Sequence, residues 1–214
     1  MKDREPLFSS KNMKLLTNPL NEDNPITVQV LGICSALAIT AKLEPAIVMS
    51  FSVLAVLSVS NVVISMLRNY IPPRIRIIVQ LTVIAAMVIL VDQVLKAYAY
   101  EVSKQLSVFV GLIITNCIIM GRLEAFAMTN KPWPAFLDGV GNSAGYAVIL
   151  VIVAFFRELF GSGELLGFPV FEKIGLYNTG YENNGMMILP PMALMVVGII
   201  IWVQRSRKRE LIED

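Results

Sequence analysis

The 214-residue chain is 56% hydrophobic and only 16% charged, where soluble domains carry roughly 25% charged residues. Its mean hydropathy of +0.67 makes lipid the natural solvent, and one membrane domain with no soluble catalytic domain is expected. With two cysteines, no histidine and a net charge of only +2, His-ligated haem, His-containing zinc or Rieske centres and Ser–His or Cys–His nucleophiles are excluded from the chain alone.

Residues 1–25 form a polar opening stretch that begins with Lys2, Asp3, Arg4 and Glu5. It lacks the apolar core and small-residue cleavage site of a secretory signal, so the first apolar segment is expected to be retained. Six apolar segments follow: Ile26–Ala41, Ala46–Leu67, Ile77–Leu95, Leu106–Gly121, Ala144–Phe160 and Met186–Val203. In a bilayer each must be helical, because hydrocarbon leaves no partner for free backbone groups. Short connections rich in Pro and Asn join them, as at Asn69–Pro73 and Asn130–Pro134; the longest is the Gly- and Asn-rich loop 162–185. A cytoplasmic N-terminus places 13 of the 18 Lys and Arg on the cytoplasmic side, so both termini are expected there. The domains read as a cytoplasmic segment 1–25, a six-helix membrane domain 26–203 and a cytoplasmic tail 204–214.

An internal repeat divides the membrane domain. Ala41-Lys42-Leu43-Glu44 resembles Gly121-Arg122-Leu123-Glu124, and each follows a short apolar segment holding a single cysteine, Cys34 or Cys117. Each is also followed by two longer segments, which gives halves of about 26–98 and 106–203. Three spans per half is odd, so the repeat must be inverted. The leading segments are shorter than the roughly 20 residues of a full span, and paired short segments in inverted halves point to broken helices meeting near the midplane. Two ordinary tilted spans are the alternative. The fold class is therefore an all-α polytopic membrane protein of six transmembrane segments, an inverted 3+3 repeat with two short, broken helices.

The chemistry concentrates on few residues. Cys34 and Cys117 read either as small buried hydrophobes or as metal ligands where two broken helices meet. An all-cysteine iron–sulfur cluster needs four ligands, so two more would have to come from a partner chain. Asp92 and Lys96, one helical turn apart, read as an interfacial ion pair or as part of a cation pathway through Asp92. Arg157 and Glu158 are adjacent, point to different faces, and each is expected to find a partner on another helix. Glu44 and Glu124 are expected to cap half-helices or to meet another subunit. Ser50, Ser52, Ser58, Ser60, Asn61 and Ser65 are expected to serve helix packing.

With these residues in hand, a family resemblance emerges. The run Gln105–Ala127, with its Thr115-Asn116-Cys117 and Gly121-Arg122-Leu123-Glu124, resembles the D-subunit family of the sodium-translocating NADH:quinone oxidoreductase. So do Gln29–Ala38 around Cys34, Val91-Asp92-Gln93-Val94-Leu95-Lys96-Ala97-Tyr98 and Phe156-Arg157-Glu158-Leu159-Phe160-Gly161-Ser162-Gly163, and the likeness runs from Pro25 to Trp202. Membrane subunits of the Rnf ferredoxin:NAD oxidoreductase share the Thr-Asn-Cys and Arg-Glu-Leu elements. No Ser-Gly-Ala-Thr-type flavin-attachment sequence is present, which separates the chain from the flavinylated B and C subunits.

The resemblance implies one component of a translocase that is not catalytic alone. It implies a [2Fe-2S] iron–sulfur centre shared with the E subunit, in which Cys34 and Cys117 match by position the two ligands from this chain. Electrons would pass from NADH through flavins towards ubiquinone, with FMN, riboflavin, FAD and NADH on partner subunits only, coupled to sodium export. The implied partners are the A, B, C, E and F subunits, with the E subunit closest, and the lipid bilayer of the bacterial inner membrane; nucleic acid is not among them. Asp92 is the candidate for an ion pathway. The alternatives are an Rnf-type subunit and, from a different class, a small secondary transporter.

Overall fold

A computed structural model of the chain describes residues 10–21, 23–98, 111–166, 168–169 and 185–207. The first nine residues, the start of the second short segment at 106–110, most of the 162–185 loop and the tail beyond Arg207 lie outside the described residues. Apart from connecting turns and one two-stranded ribbon, the described residues are helical. Its helices are α1 (Ser10–Asn21), α2 (Ile33–Ile39), α3 (Leu43–Leu67), α4 (Arg76–Tyr98), α5 (Cys117–Arg122), α6 (Pro132–Gly161) and α7 (Pro190–Arg207). A π-helical turn, Leu123–Ala127, extends α5, and a 3₁₀ turn, Gly185–Ile188, precedes α7. The strands β1 (Glu164–Leu165) and β2 (Phe168–Pro169) pair antiparallel beyond the end of α6.

Among the described residues, three helices are long and apolar enough to cross a membrane: α3, α4 through Ala97, and α6. An all-α membrane protein is the architecture expected from composition. α3 and α6 form its centre, each burying 56% of its apolar window, whereas α4 buries only 17% and leaves most of its surface to its surroundings. At 30 residues, α6 is about 45 Å long at 1.5 Å per residue.

α6 begins twelve residues before the apolar stretch Ala144–Phe160 that the sequence marks. Pro132 and Pro134 lie in its first turn, where a missing N–H costs nothing. The next turns carry Asp138, Gly139, Gly141, Asn142, Ser143 and Gly145, all buried. These residues look like a polar connection in sequence, yet they are the close-packing surface of the bundle. A Cβ on Gly139 would come within 3.0 Å of the Ser58 Cα and the Asn61 Nδ2 of α3. Asn61 donates to the Ala135 carbonyl oxygen at 2.9 Å, and Ser65 to that of Asn130 at 2.6 Å. The polar residues of α3 thus serve packing, as expected; Ser50 and Ser52 turn their hydroxyls onto their own helix, to the carbonyls of Ala46 and Val48.

The helix α1 packs on a second glycine surface of α6. A Cβ on Gly141 would stand 2.5 Å from the Leu15 carbonyl oxygen, and one on Gly145 would collide with that of Pro19. Asn24, just beyond α1, donates to the Gly145 carbonyl oxygen at 3.2 Å. Small residues four apart let two backbones approach closely, and here they receive a helix from the same chain.

Gly145→Val should therefore displace α1 and destabilise the protein by about 1–3 kcal/mol, as overpacking of a tight contact does. Gly198→Val, which enters open space, should be close to neutral. The thermal unfolding midpoints of the two variants in detergent decide the comparison.

Candidate metal centre

Two interruptions of helical backbone, a turn that leads into α2 and a break before α5, build the site. In the first, Val30 (φ 58) and Gly32 (φ 83) take left-handed backbone conformations, and the chain then turns into α2, whose second residue is Cys34. Only glycine adopts such a φ without strain, which accounts for Gly32. In the second, a helical turn at 111–114 stops at Thr115, and α5 restarts at Cys117. Asn116 is its N-cap, with Oδ1 accepting the Ile118 N–H at 3.3 Å. Neither described segment is thus one straight helix: Cys34 sits in the first turn of a short helix entered through a left-handed turn, and Cys117 in the first turn of one that restarts after a break.

The interruptions lie against each other. Asn116 Nδ2 donates to Ser35 Oγ at 3.4 Å, and the same hydroxyl stands 2.8 Å from the Tyr146 hydroxyl of α6. Ser35, Asn116 and Tyr146 are all buried. The cysteines beside them are not: both thiols are free and exposed on the surface of the chain. The reading of buried, inert hydrophobes therefore does not hold for either. Among the described residues, no group of three or more Cys, Asp or Glu side chains is placed to hold a metal. Two outward-facing thiols match half of an all-cysteine donor set; the other half would have to come from another chain.

Polar locks secure the helix ends behind the cysteines. The buried Arg157 of α6 donates from Nη1 to the Leu37 carbonyl oxygen at 3.3 Å and to Thr40 Oγ1 at 2.5 Å, at the end of α2. Its remaining donors reach the carbonyls of Met187, Ile188 and Leu189 at the entry to α7. Glu158, its neighbour, accepts from the Leu43 N–H at 2.5 Å and from the Leu166 N–H at 3.0 Å. Each does find its partners on other elements, but these partners are backbone groups and, for Arg157, the Thr40 hydroxyl, rather than opposite charges.

The second cysteine-bearing segment uses a different device. Arg122 Nε donates to Asp138 Oδ2 at 3.0 Å, while its Nη2 donates to Asp138 Oδ1, and the ion pair is buried on the aspartate side. Asn142 adds a bond to Asp138 Oδ1 at 3.1 Å. Asp138 is the residue that sequence reasoning missed, because it falls in a stretch read as a connection. The signal was available: Arg122 closes an apolar segment and needs a carboxylate.

The paired acidic positions also diverge. Glu124 bridges to Arg76 at 2.7 Å and accepts from Gln80 at 2.9 Å, both on α4, whereas Glu44 is exposed in the first turn of α3. Asp92 pairs with Lys96 at 2.6 Å along α4, away from the cysteines in the chain and on the least buried of the three membrane-length helices.

Residues 12–201 match a protein family described as Rnf-Nqr subunit, membrane protein. The chain belongs to the Rnf-Nqr family. Within it, the chain is 55% identical over 208 residues to the D subunit of the Na(+)-translocating NADH-quinone reductase of Shewanella putrefaciens (strain CN-32 / ATCC BAA-453), covering 97% of this chain and 99% of that protein. The D subunits of Shewanella sp. (strain W3-18-1) and Shewanella baltica (strain OS155 / ATCC BAA-1091) match at the same identity and coverage. The resemblance to the D-subunit family of this oxidoreductase is therefore sound over nearly the whole chain, including both helix interruptions.

In this Rnf-Nqr protein, Arg122→Ala should leave Asp138 buried without its counter-charge, at a cost of about 3–5 kcal/mol. Removing both partners should cost less than the sum of the single changes. A double-mutant cycle on thermal stability in detergent measures the difference.

Proposed function

We propose that the chain is the D subunit of a sodium-translocating NADH:quinone oxidoreductase, and that it carries electrons through an intramembrane [2Fe-2S] centre shared with the E subunit. The observation that carries this reading is the pair of exposed, free thiols at two adjoining helix interruptions, in a chain 55% identical to D-subunit proteins. Cys34 and Cys117 would hold the centre from this side, and two cysteines of the E subunit from the other. When bound, such a centre supplies one-electron transfer within the membrane. The chain's own part is to keep two sulfurs at fixed positions and to close the helix ends around them without stranded backbone groups.

In this reading the six apolar segments form two inverted halves of three spans, in the bacterial inner membrane with both termini cytoplasmic. The A, B, C and F subunits complete the complex and carry FMN, riboflavin, FAD and the NADH and ubiquinone sites. Sodium export is coupled to electron passage, and Asp92, partly covered by Lys96, is the carboxylate proposed to lie on the ion path. The likeness to D-subunit proteins over 97% of the chain favours this reading over an Rnf-type subunit of the same family.

Cys34→Ser and Cys117→Ser should each remove the iron of this centre and its EPR signal from the purified complex, and abolish NADH-driven quinone reduction. Wild-type iron in both variants would sink the reading, and activity retained without either cysteine would favour a transporter. Asp92→Asn should raise the sodium concentration needed for half-maximal quinone reduction; an unaltered sodium dependence takes Asp92 off the path.

A further inference from the structure

Tyr146 stands within α6 with no exposed surface. Its ring lies against the backbone of the first interruption: a Cβ on Gly32 would fall 3.1 and 3.3 Å from two of its carbons, and 3.6 Å from Asn116 Oδ1. The absence of a side chain at Gly32 therefore makes room for this ring, in addition to allowing the left-handed turn. Tyrosine suits such a post, because a rigid ring packs against backbone while its hydroxyl reaches a polar partner.

The direction of the hydroxyl bond follows from counting protons. Ser35 has one hydroxyl proton and two lone pairs. It donates to the Gly32 carbonyl oxygen at 2.8 Å, so at 2.8 Å from Tyr146 it can only accept. Tyr146 is the donor there, and Asn116 Nδ2 supplies the second bond to Ser35 Oγ at 3.4 Å. Asn116 is itself committed at both ends, since its Oδ1 caps α5 through the Ile118 N–H. The result is a continuous chain of bonds, meeting at Ser35, that joins the centre of α6 to both interruptions. Its members are the immediate neighbours of the two cysteines: Ser35 follows Cys34, and Asn116 precedes Cys117.

We infer that Tyr146 is a positioning residue for the cysteine pair, acting through Ser35 and Asn116 to hold the two sulfurs at a fixed spacing. The assignment rests on the proposal that Cys34 and Cys117 ligate iron. Phenylalanine at this position keeps the ring packed on Gly32 and removes only the donated proton. The two interruptions then lose the bond that ties their shared Ser35–Asn116 contact to α6, while the rest of the bundle keeps its packing.

The test uses the whole purified complex with Tyr146→Phe, Ser35→Ala, both together, and Cys34→Ser. Tyr146→Phe and Ser35→Ala should assemble with iron, release it to ferrozine about fivefold faster than wild type, as the loss of one buried hydrogen bond implies, and change the EPR line shape of the reduced centre. The double variant should release iron no faster than either single one, because both act through one chain of bonds. If Cys34→Ser loses iron while Tyr146→Phe and Ser35→Ala match wild type in release rate and line shape, the Tyr146 assignment alone is overturned. If Cys34→Ser keeps wild-type iron, the iron reading fails and the assignment with it. Loss of the chain from the complex in both hydroxyl variants also overturns it, since the bonds would then serve folding rather than position.

Discussion

A helix interrupted among apolar surroundings strands N–H and C=O groups that water cannot reach, and each unpaired group costs several kcal/mol. This protein carries two such interruptions, and much of its polar interior answers them. Asn24 receives the amides of Ile26 and Thr27 on its Oδ1 and donates to Gly145, which secures the turn that enters the first interruption. Asn116 caps α5. Arg157 takes up a carbonyl at the end of α2 together with those leading into α7, and Glu158 accepts the first amide of α3. The polar side chains are placed where a continuous helix would have needed none.

The helix α6 supplies most of these answers. Its glycines at 139, 141 and 145 admit α3 on one surface and α1 on another, its Asp138 holds Arg122, and its Tyr146 supports the two interruptions from behind. Towards its end, Arg157 and Glu158 tie down α2, α3 and the approach to α7. Close backbone packing and buried polar bonds reinforce one another, because small residues bring the helices near enough for short side chains to bridge them. A rigid frame of this kind lets two exposed cysteines stand at the surface while the residues beside them, Ser35 and Asn116, are anchored from within.

Much of the fold was legible because lipid-facing structure has few solutions. Composition and the apolar segments led directly to an all-helical membrane protein, and α3 and α4 lie within a few residues of their marked segments. The start of α6 was not legible: Asp138, Asn142 and three glycines lower the local hydropathy, so the helix reads as a connection until its packing partners are known. The role of α1 was hidden likewise, since a polar segment of twelve residues gives no sign that it lies on a glycine surface 120 residues away in sequence. Of the candidate site, the two cysteines and the interruption of their helices could be read from short segments in matching places. Tyr146 could not, because a single tyrosine in an apolar helix is indistinguishable from ordinary core.

By itself, then, the amino-acid sequence determined the solvent, the helical class, the pairing of two short cysteine-bearing segments and the family. These follow from composition and local pattern, which act over distances of a few residues. Only the tertiary structure decided that both thiols are exposed, that Arg122 belongs to Asp138 while Arg157 belongs to backbone carbonyls and the Thr40 hydroxyl, and that Ser35, Asn116 and Tyr146 share one chain of bonds. Those outcomes depend on which groups meet across helices, and burial leaves each polar atom to be satisfied by whatever the packing brings within reach.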